Sequence, residues 1–346
     1  MQKIKTALVS YGMSGKVFHA PFIHAHPGFE LTGAWERTHK NIQADYPYTK
    51  SYASLEELLA DDIDLVIVNS PNITHFDYAK KALMAGKHIV VEKPLTVRVS
   101  EGEELKRIAE QQGKLLCPYQ NRRWNSDYKT VKRILDSGCL GDIVEAEIRY
   151  DRYTPAFSYK KHKETGEVGT GIVYDLGSHL IDQALQLFGK PDSLFADIAI
   201  TREGSLTDDY VELLLFYKDL RVRLKSGFFI REPLPGYILY GKKGAFLKNR
   251  ADVQEDDLLK GIKPTVANWG IEPESQQGLL HTEIDGKIIR EQVPTETGDY
   301  MGYFEALYQS VVNGKPLAVK AEESIAVVNI IEKAFESHRL KKVIDL

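Results

Sequence analysis

Lys93 stands in the tripeptide Glu92-Lys93-Pro94, directly after the apolar stretch 88–91. An ammonium at the carboxyl end of a buried strand, partly shielded from water, suits proton transfer or the stabilisation of charge on an oxygen. Pro94 rigidifies that turn and is a candidate for a cis bond. Alone, the tripeptide is an ordinary charged turn. It gains weight from Asn69-Ser70-Pro71-Asn72-Ile73-Thr74-His75, one strand earlier. A second cluster is Tyr174-Asp175-Leu176-Gly177-Ser178-His179, preceded by the glycine-rich Gly166-Glu167-Val168-Gly169-Thr170-Gly171. Asp175 and His179 are four apart, so an α-helix puts both on one face, a carboxylate beside an imidazole that titrates near neutrality. Gly177 costs ~1 kcal/mol relative to Ala in mid-helix and suggests a close backbone or ligand approach. A plain surface Asp/His pair is the bland alternative.

A third cluster is Ser10-Tyr11-Gly12-Met13-Ser14-Gly15, at the end of the first strand. A dinucleotide turn uses Gly-x-Gly-x-x-Gly, so that the backbone approaches a pyrophosphate and a helix N-terminus supplies N–H donors. Here Ser10 replaces the first glycine. The turn's place in a β–α–β run favours dinucleotide binding over an empty β–α turn. Glu36 and Arg37 close the second strand. Glu36 suits the ribose hydroxyls of NAD, Arg37 suits the 2′-phosphate of NADP, and a solvated surface pair is the third reading.

These groups need elements to position them. Over the first ~120 residues strand and helix patterns alternate. Strands are expected at 4–9, 29–35, 63–68, 88–91 and 115–119, and helices from 15 to about 24 (kinked at Pro21), from Ser54 with its Glu57 capping partner, over 74–85 ending at Gly86, and from Ser100 with Glu103 to about 112. That alternation predicts a doubly wound parallel α/β sheet. After residue 140 the pattern changes. Residues 143–150 alternate in period two, 209–217 and 221–230 read as paired strands, and 237–240 and 245–248 flank a Gly241–Gly244 turn. Helices are expected at 172–188 and 322–337. The expected organisation is a dinucleotide-binding domain over 1–120 and an α+β domain over 121–346, its last helix packing back on the first, with a ligand cleft between them.

Composition removes other classes. The 346 residues carry 45 Lys and Arg against 49 Asp and Glu, a net charge of -4, which disfavours nucleic-acid binding. No apolar run approaches the ~20 residues of a membrane-spanning helix. Two cysteines, Cys117 and Cys139, cannot staple the chain, and no Cys/His spacing suggests a metal. The first residues lack a signal-peptide core, and a cytoplasmic protein is expected. Asp208-Asp209 and Glu255-Asp256-Asp257 read as solvated turns, and His24 and His26 as surface or capping residues.

Taken together, the turn Ser10–Gly15 with its continuation to Pro21, Glu92-Lys93-Pro94, Gln120-Asn121-Arg122-Arg123-Trp124 and Tyr174–His179 resemble the Gfo/Idh/MocA oxidoreductases along the whole chain. The Asn-Arg-Arg-Trp segment and Arg152-Tyr153-Thr154-Pro155 more narrowly resemble the NADP-dependent scyllo-inositol 2-dehydrogenase branch. The resemblance implies an N-terminal Rossmann domain and a C-terminal α+β domain with a large open, mainly antiparallel sheet that packs against another subunit, giving a homodimer or homotetramer. It implies reversible hydride transfer between a sugar or polyol carbon and NAD or NADP. By motif match Lys93 becomes the catalytic lysine, His179 the proton acceptor, and Asp175 the group that orients substrate or histidine. Gly12, Met13, Ser14 and Gly15 would cradle the pyrophosphate. Ser70, Pro71, Asn72 and His75 would line the nicotinamide side, with Glu92 nearby. Tyr153, Asn121 and Arg122 would border the substrate. Two other chemistries fit the fold: an NAD-dependent glycosidase and a non-catalytic nicotinamide-binding sensor, the latter disfavoured by the proton-transfer set.

Overall fold

Leu65, Val66, Ile67 and Val68 are all fully buried, as a strand covered on both faces requires. They form β4 of a six-stranded, all-parallel sheet. Its strands are β1 (Ile4–Leu8), β2 (Phe29–Trp35), β3 (Lys50–Tyr52), β4 (Leu65–Val68), β5 (His88–Glu92) and β6 (Leu116–Tyr119), in the order β3-β2-β1-β4-β5-β6. The order reverses between β1 and β4, the point at which open α/β sheets form their ligand crevice. The structure, a computed structural model, describes residues 3–36 and 39–346.

Nine further strands form a second sheet: β7 (Ile143–Arg149), β8 (Ser193–Ala199), β9 (Tyr210–Phe216), β10 (Arg221–Gly227), β11 (Tyr237–Gly241), β12 (Gly244–Lys248), β13 (Gly278–Ile284), β14 (Lys287–Val293) and β15 (Ile344–Asp345). Their order is β14-β13-β12-β11-β7-β10-β9-β8-β15, antiparallel throughout except for the pair β7 and β10. Burial alternates strictly along β9, so one face is covered and the other half-exposed. The covered face receives the end of the C-terminal helix, where Ser337 Oγ accepts from Ala196 N–H at 2.9 Å.

The chain divides into two compact units. One takes in the chain up to Asn121, with Gln254–Trp269 and Asp299–Ala326; the other takes in Arg122–Val253, Gly270–Gly298 and Val327–Leu346. In the first, helix Met301–Asn313 adds Phe304, stacked on Phe22 with ring centroids 5.2 Å apart, and Tyr303, whose hydroxyl donates to Pro118 O. The opening turn of helix Ala321–Leu340 adds Ala321 and Ile325 to the core around β1, β4 and β5.

Five local expectations need correction. Glu255-Asp256-Asp257 is not a turn: the three acids lie in the first turn of helix Gln254–Leu259, where carboxylates favour the positive end of the helix dipole. The helix after the glycine turn opens with a π-turn, Gly15–His19, before Ala20–Ala25. Pro21 has no N–H to give to the ladder, and Ala20 N–H reaches back five residues to Gly15 O. The helix over 172–188 likewise begins with a π-turn, Val173–Gly177. Ser100 caps nothing: helix Val99–Gln112 is capped by Glu101, whose Oε2 accepts from the N–H groups of Val97 and Arg98. Asp208 and Asp209 are not solvated. Asp209 is fully buried among hydrogen bonds from Thr201 and Arg202, and Asp208 caps the second π-turn by accepting from Val173 N–H at 2.8 Å.

Candidate active site

In the first unit the glycine turn is locked from below. Ser10 N–H donates to Asn69 Oδ1 at 3.0 Å, and Asn69 Nδ2 donates back to Ser10 O at 2.7 Å. Ser10 does not have a positive φ, so no glycine is required there. Its hydroxyl accepts from Gly12 N–H at 3.2 Å. The serine thus replaces a glycine without strain. Gly15 is obligatory, because an added Cβ would stand 2.4 Å from Ser10 O and 2.9 Å from Asn69 Nδ2. Gly12 is different. It is exposed, and among the described residues a Cβ there would meet nothing closer than Ser10 Oγ at 3.5 Å. The fold tolerates a side chain at Gly12, and the bare backbone there fits a pyrophosphate approaching from outside. Met13 and Ser14, both half-buried, lead into the π-turn.

Ser14 Oγ donates to Glu92 Oε1 at 2.5 Å, and His19 Nε2 lies 2.9 Å from the same oxygen. Burial would raise the Glu92 carboxyl. The hydrogen bond and charge of His19, the Ser14 hydroxyl and the Lys93 ammonium outweigh it and hold the group at about 2. Glu92 therefore stays ionised directly before Lys93, whose own N–H donates to Glu92 Oε2. The Lys93–Pro94 peptide is cis. His75 is fully buried, its Nδ1 lying 2.8 Å from Pro94 O and its Nε2 2.9 Å from Ser70 O. It braces two loops through their backbones. Ser70 and Asn72 are half-buried and Pro71 is exposed. Glu36 turns elsewhere: its carboxylate caps helix Asn41–Asp45, accepting from Asn41 and Ile42 N–H at 2.9 and 3.2 Å and from the Ser51 hydroxyl at 3.3 Å. Arg37 lies outside the described residues.

In the second unit Asp175 and His179 sit on the π-turn and on helix Ser178–Phe188. His179 is nearly fully buried, and Asp175 Oδ2 accepts from Lys163 Nζ at 3.0 Å. The opening of this segment is set by Gly171, at φ +89°, where a Cβ would strike the Asp208 carboxylate at 2.2 Å. No close backbone approach accounts for Gly177: among the described residues a Cβ would find its nearest neighbour, Ile172 O, at 3.6 Å. Arg123 grips Asp182 of the same helix through two hydrogen bonds, 2.9 and 2.6 Å. Arg122 stacks over Tyr150 at 5.0 Å, with Arg152 and Arg250 over the same ring. Asn121 is buried and opens the turn Asn121–Trp124. Tyr153 is half exposed beneath Arg231, 3.9 Å from ring centroid to guanidinium.

The sequence reading missed Asn69, His19, Lys163 and Asp208 as structural partners of these groups. His19 and Asn69 lie inside motifs already singled out. Lys163 and Asp208 carry no local signal, since only the tertiary fold sets them against Asp175 and Gly171. Among the described residues no group of three or more His, Cys, Asp or Glu could hold a metal ion, and no helix is long and apolar enough to cross a membrane.

Two family models cover the chain. Residues 4–120 match the oxidoreductase family's NAD-binding Rossmann fold, and residues 132–346 match its C-terminal alpha/beta domain. The chain is 38% identical to the scyllo-inositol 2-dehydrogenase (NADP(+)) IolW of Bacillus subtilis, over 99% of this chain and 96% of the relative. It is 25% identical to a D-xylose 1-dehydrogenase (NADP(+)) of Haloferax volcanii, covering 86% and 85% of the two chains. The solved YvaA structure of Bacillus subtilis shares 37% identity with a TM-score of 0.96, covering 100% of this chain and 99% of that one. An oxidoreductase structure from Bacillus cereus shares 31% with a TM-score of 0.91, over 99% of each chain.

Proposed function

Because the chain belongs to the Gfo/Idh/MocA oxidoreductases and works with NAD or NADP on CH–OH groups, we propose that its substrate is an inositol-like polyol or a sugar, with Lys93 and His179 handling the hydroxyl proton. The observation that carries this is the bond from Ser14 Oγ to Glu92 Oε1, which ties the pyrophosphate-type turn to the residue before Lys93. It fixes the start of the lysine-bearing loop beside the turn suited to a dinucleotide. The full-length similarity to a scyllo-inositol dehydrogenase supports the substrate class.

Gly12, Met13, Ser14 and Gly15 would hold the dinucleotide's phosphates, and a bound nicotinamide supplies the hydride acceptor or donor. The chain does the rest. Lys93 Nζ donates to the reacting oxygen and stabilises negative charge as it develops there. The His179 imidazole takes the hydroxyl proton in oxidation and returns it in reduction. Asp175 orients the substrate, and His75 keeps the Ser70 and Pro94 loops in register through their carbonyls. Assembly into a homodimer or homotetramer would use the half-exposed face of the nine-stranded sheet.

Absorbance at the reduced-nicotinamide band, across both cofactors and a panel of polyols and aldoses, tests the function. Turnover with a polyol is expected. Lys93→Met should lower kcat about 10²- to 10⁴-fold while cofactor affinity holds. Wild-type-like turnover in that variant removes Lys93 from the chemistry. Glycoside hydrolysis without net cofactor reduction would replace the dehydrogenase by a glycosidase.

A further inference from the structure

Lys163 Nζ reaches Asp175 Oδ2 at 3.0 Å and has no other hydrogen-bond partner among the described residues. Both side chains remain accessible, 39% for the lysine and 31% for the aspartate. The loop behind them is pinned. Glu164, next in the chain, accepts from Ser158 N–H at 2.8 Å and from Arg202 at 2.9 and 3.2 Å. Arg202 is itself held by Asp209 at 3.0 Å and packs against the rings of Phe157 and Phe228 at 5.1 and 5.2 Å. It is 4% exposed. A buried guanidinium between two carboxylates and two rings fixes the Glu164 side chain, so the loop is anchored one residue from Lys163 while the ammonium stays accessible.

An ammonium only donates and an ionised carboxylate only accepts. The two lie one hydrogen-bond length apart, which is also the separation of adjacent hydroxyl oxygens on a polyol. We propose that Lys163 and Asp175 act as a pair that grips two neighbouring hydroxyls of the substrate, which makes Lys163 a specificity-determining residue. This rests on the dehydrogenase function above, in which Asp175 orients the substrate. A solvated ion pair with no ligand role would contribute little to stability and nothing to recognition.

The test uses the full chain with its cofactor and compares wild type, Lys163→Met, Lys163→Arg, Asp175→Asn and the Lys163→Met/Asp175→Asn double variant. Substrates are the best-used polyol and its deoxy analogues, each lacking one hydroxyl beside the reacting carbon. Lys163→Met should raise KM about 10- to 100-fold for the full polyol, as expected for a lost charged hydrogen bond, with a smaller change in kcat. Cofactor affinity should not move, and Lys163→Arg should recover part of the loss. One deoxy analogue should show the same KM on wild type and Lys163→Met, and the double variant should be no worse than the poorer single one. A KM for Lys163→Met within about twofold of wild type, or a loss equal for every analogue and additive with Asp175→Asn, overturns the proposal. Wild type without turnover on any polyol would defeat the dehydrogenase function instead. Calorimetric polyol binding then decides Lys163: weaker binding in Lys163→Met upholds the grip, and equal or absent binding overturns it.

Discussion

Ser14 and Glu92 are 78 residues apart in sequence, yet the serine hydroxyl donates to the carboxylate at 2.5 Å. The glycine turn and the Glu-Lys-Pro loop are thereby one hydrogen-bonded assembly at the carboxyl ends of β1 and β5. The carboxylate also meets His19, so a change at Glu92 is felt on both sides.

Replacing Glu92 by Gln keeps the shape and removes the charge. The carboxyl titrates at about 2 in the folded protein and at about 4.3 in an unfolded chain. A depressed carboxyl stabilises the fold fully above the unfolded value, and that contribution is lost as pH falls through the folded one. The Tm difference between wild type and Glu92→Gln should be largest above about pH 5 and shrink between about 4.3 and 2. A difference that stays constant to low pH would show that the charge of Glu92 is not what stabilises this junction.

Gly12 and Gly15 should separate binding from folding. Gly15→Ala forces a methyl into Ser10 O and Asn69 and should cost about 1–3 kcal/mol of stability, measured by denaturant unfolding. Gly12→Ala meets only ordinary contact among the described residues. Its stability should stay near wild type while dinucleotide affinity, followed by fluorescence of the reduced cofactor, falls at least about tenfold. Equal cofactor affinity in Gly12→Ala would place the pyrophosphate elsewhere.

Glu36 is a helix cap, with its oxygens on Asn41, Ile42 and Ser51. Glu36→Gln keeps an acceptor for the cap and removes one negative charge. NADP affinity should rise about three- to tenfold, and NAD affinity should change less. A large loss of NAD binding would instead put the ribose hydroxyls on this carboxylate.

Asp208 lies against Gly171 and caps the turn that carries Asp175. Burial pushes its carboxyl up to about 6, against the hydrogen bonds from Val173 and Ile172. The folded protein then binds this proton more tightly than the unfolded chain, for which the value is about 3.9. Stability from this group falls as pH rises between the two values. The Tm of Asp208→Asn relative to wild type should therefore rise from about pH 4 to 6 and level off above 7. A flat difference would mean that folding does not raise the Asp208 carboxyl.

Local sequence determined the parallel β–α half of this protein. Runs such as Leu65–Val68 bury on both faces whatever follows them, and glycine and proline punctuate the helices between. The motifs singled out for chemistry are contiguous in sequence: the turn at Ser10–Gly15, the Glu-Lys-Pro loop and the segment Tyr174–His179. The partners of those motifs were decided only in three dimensions. Nothing near Ser10 in sequence announces Asn69, and nothing near Glu92 announces Ser14 and His19. Asp208-Asp209 looks like a polar turn until Arg202 and Gly171 close around it. Both π-turns were likewise hidden, since side-chain periodicity reports which face is apolar and not which carbonyl an N–H chooses. Charge, burial and hydrogen bonding between distant segments fix how each group behaves, and those are properties of the folded neighbourhood rather than of any stretch of chain.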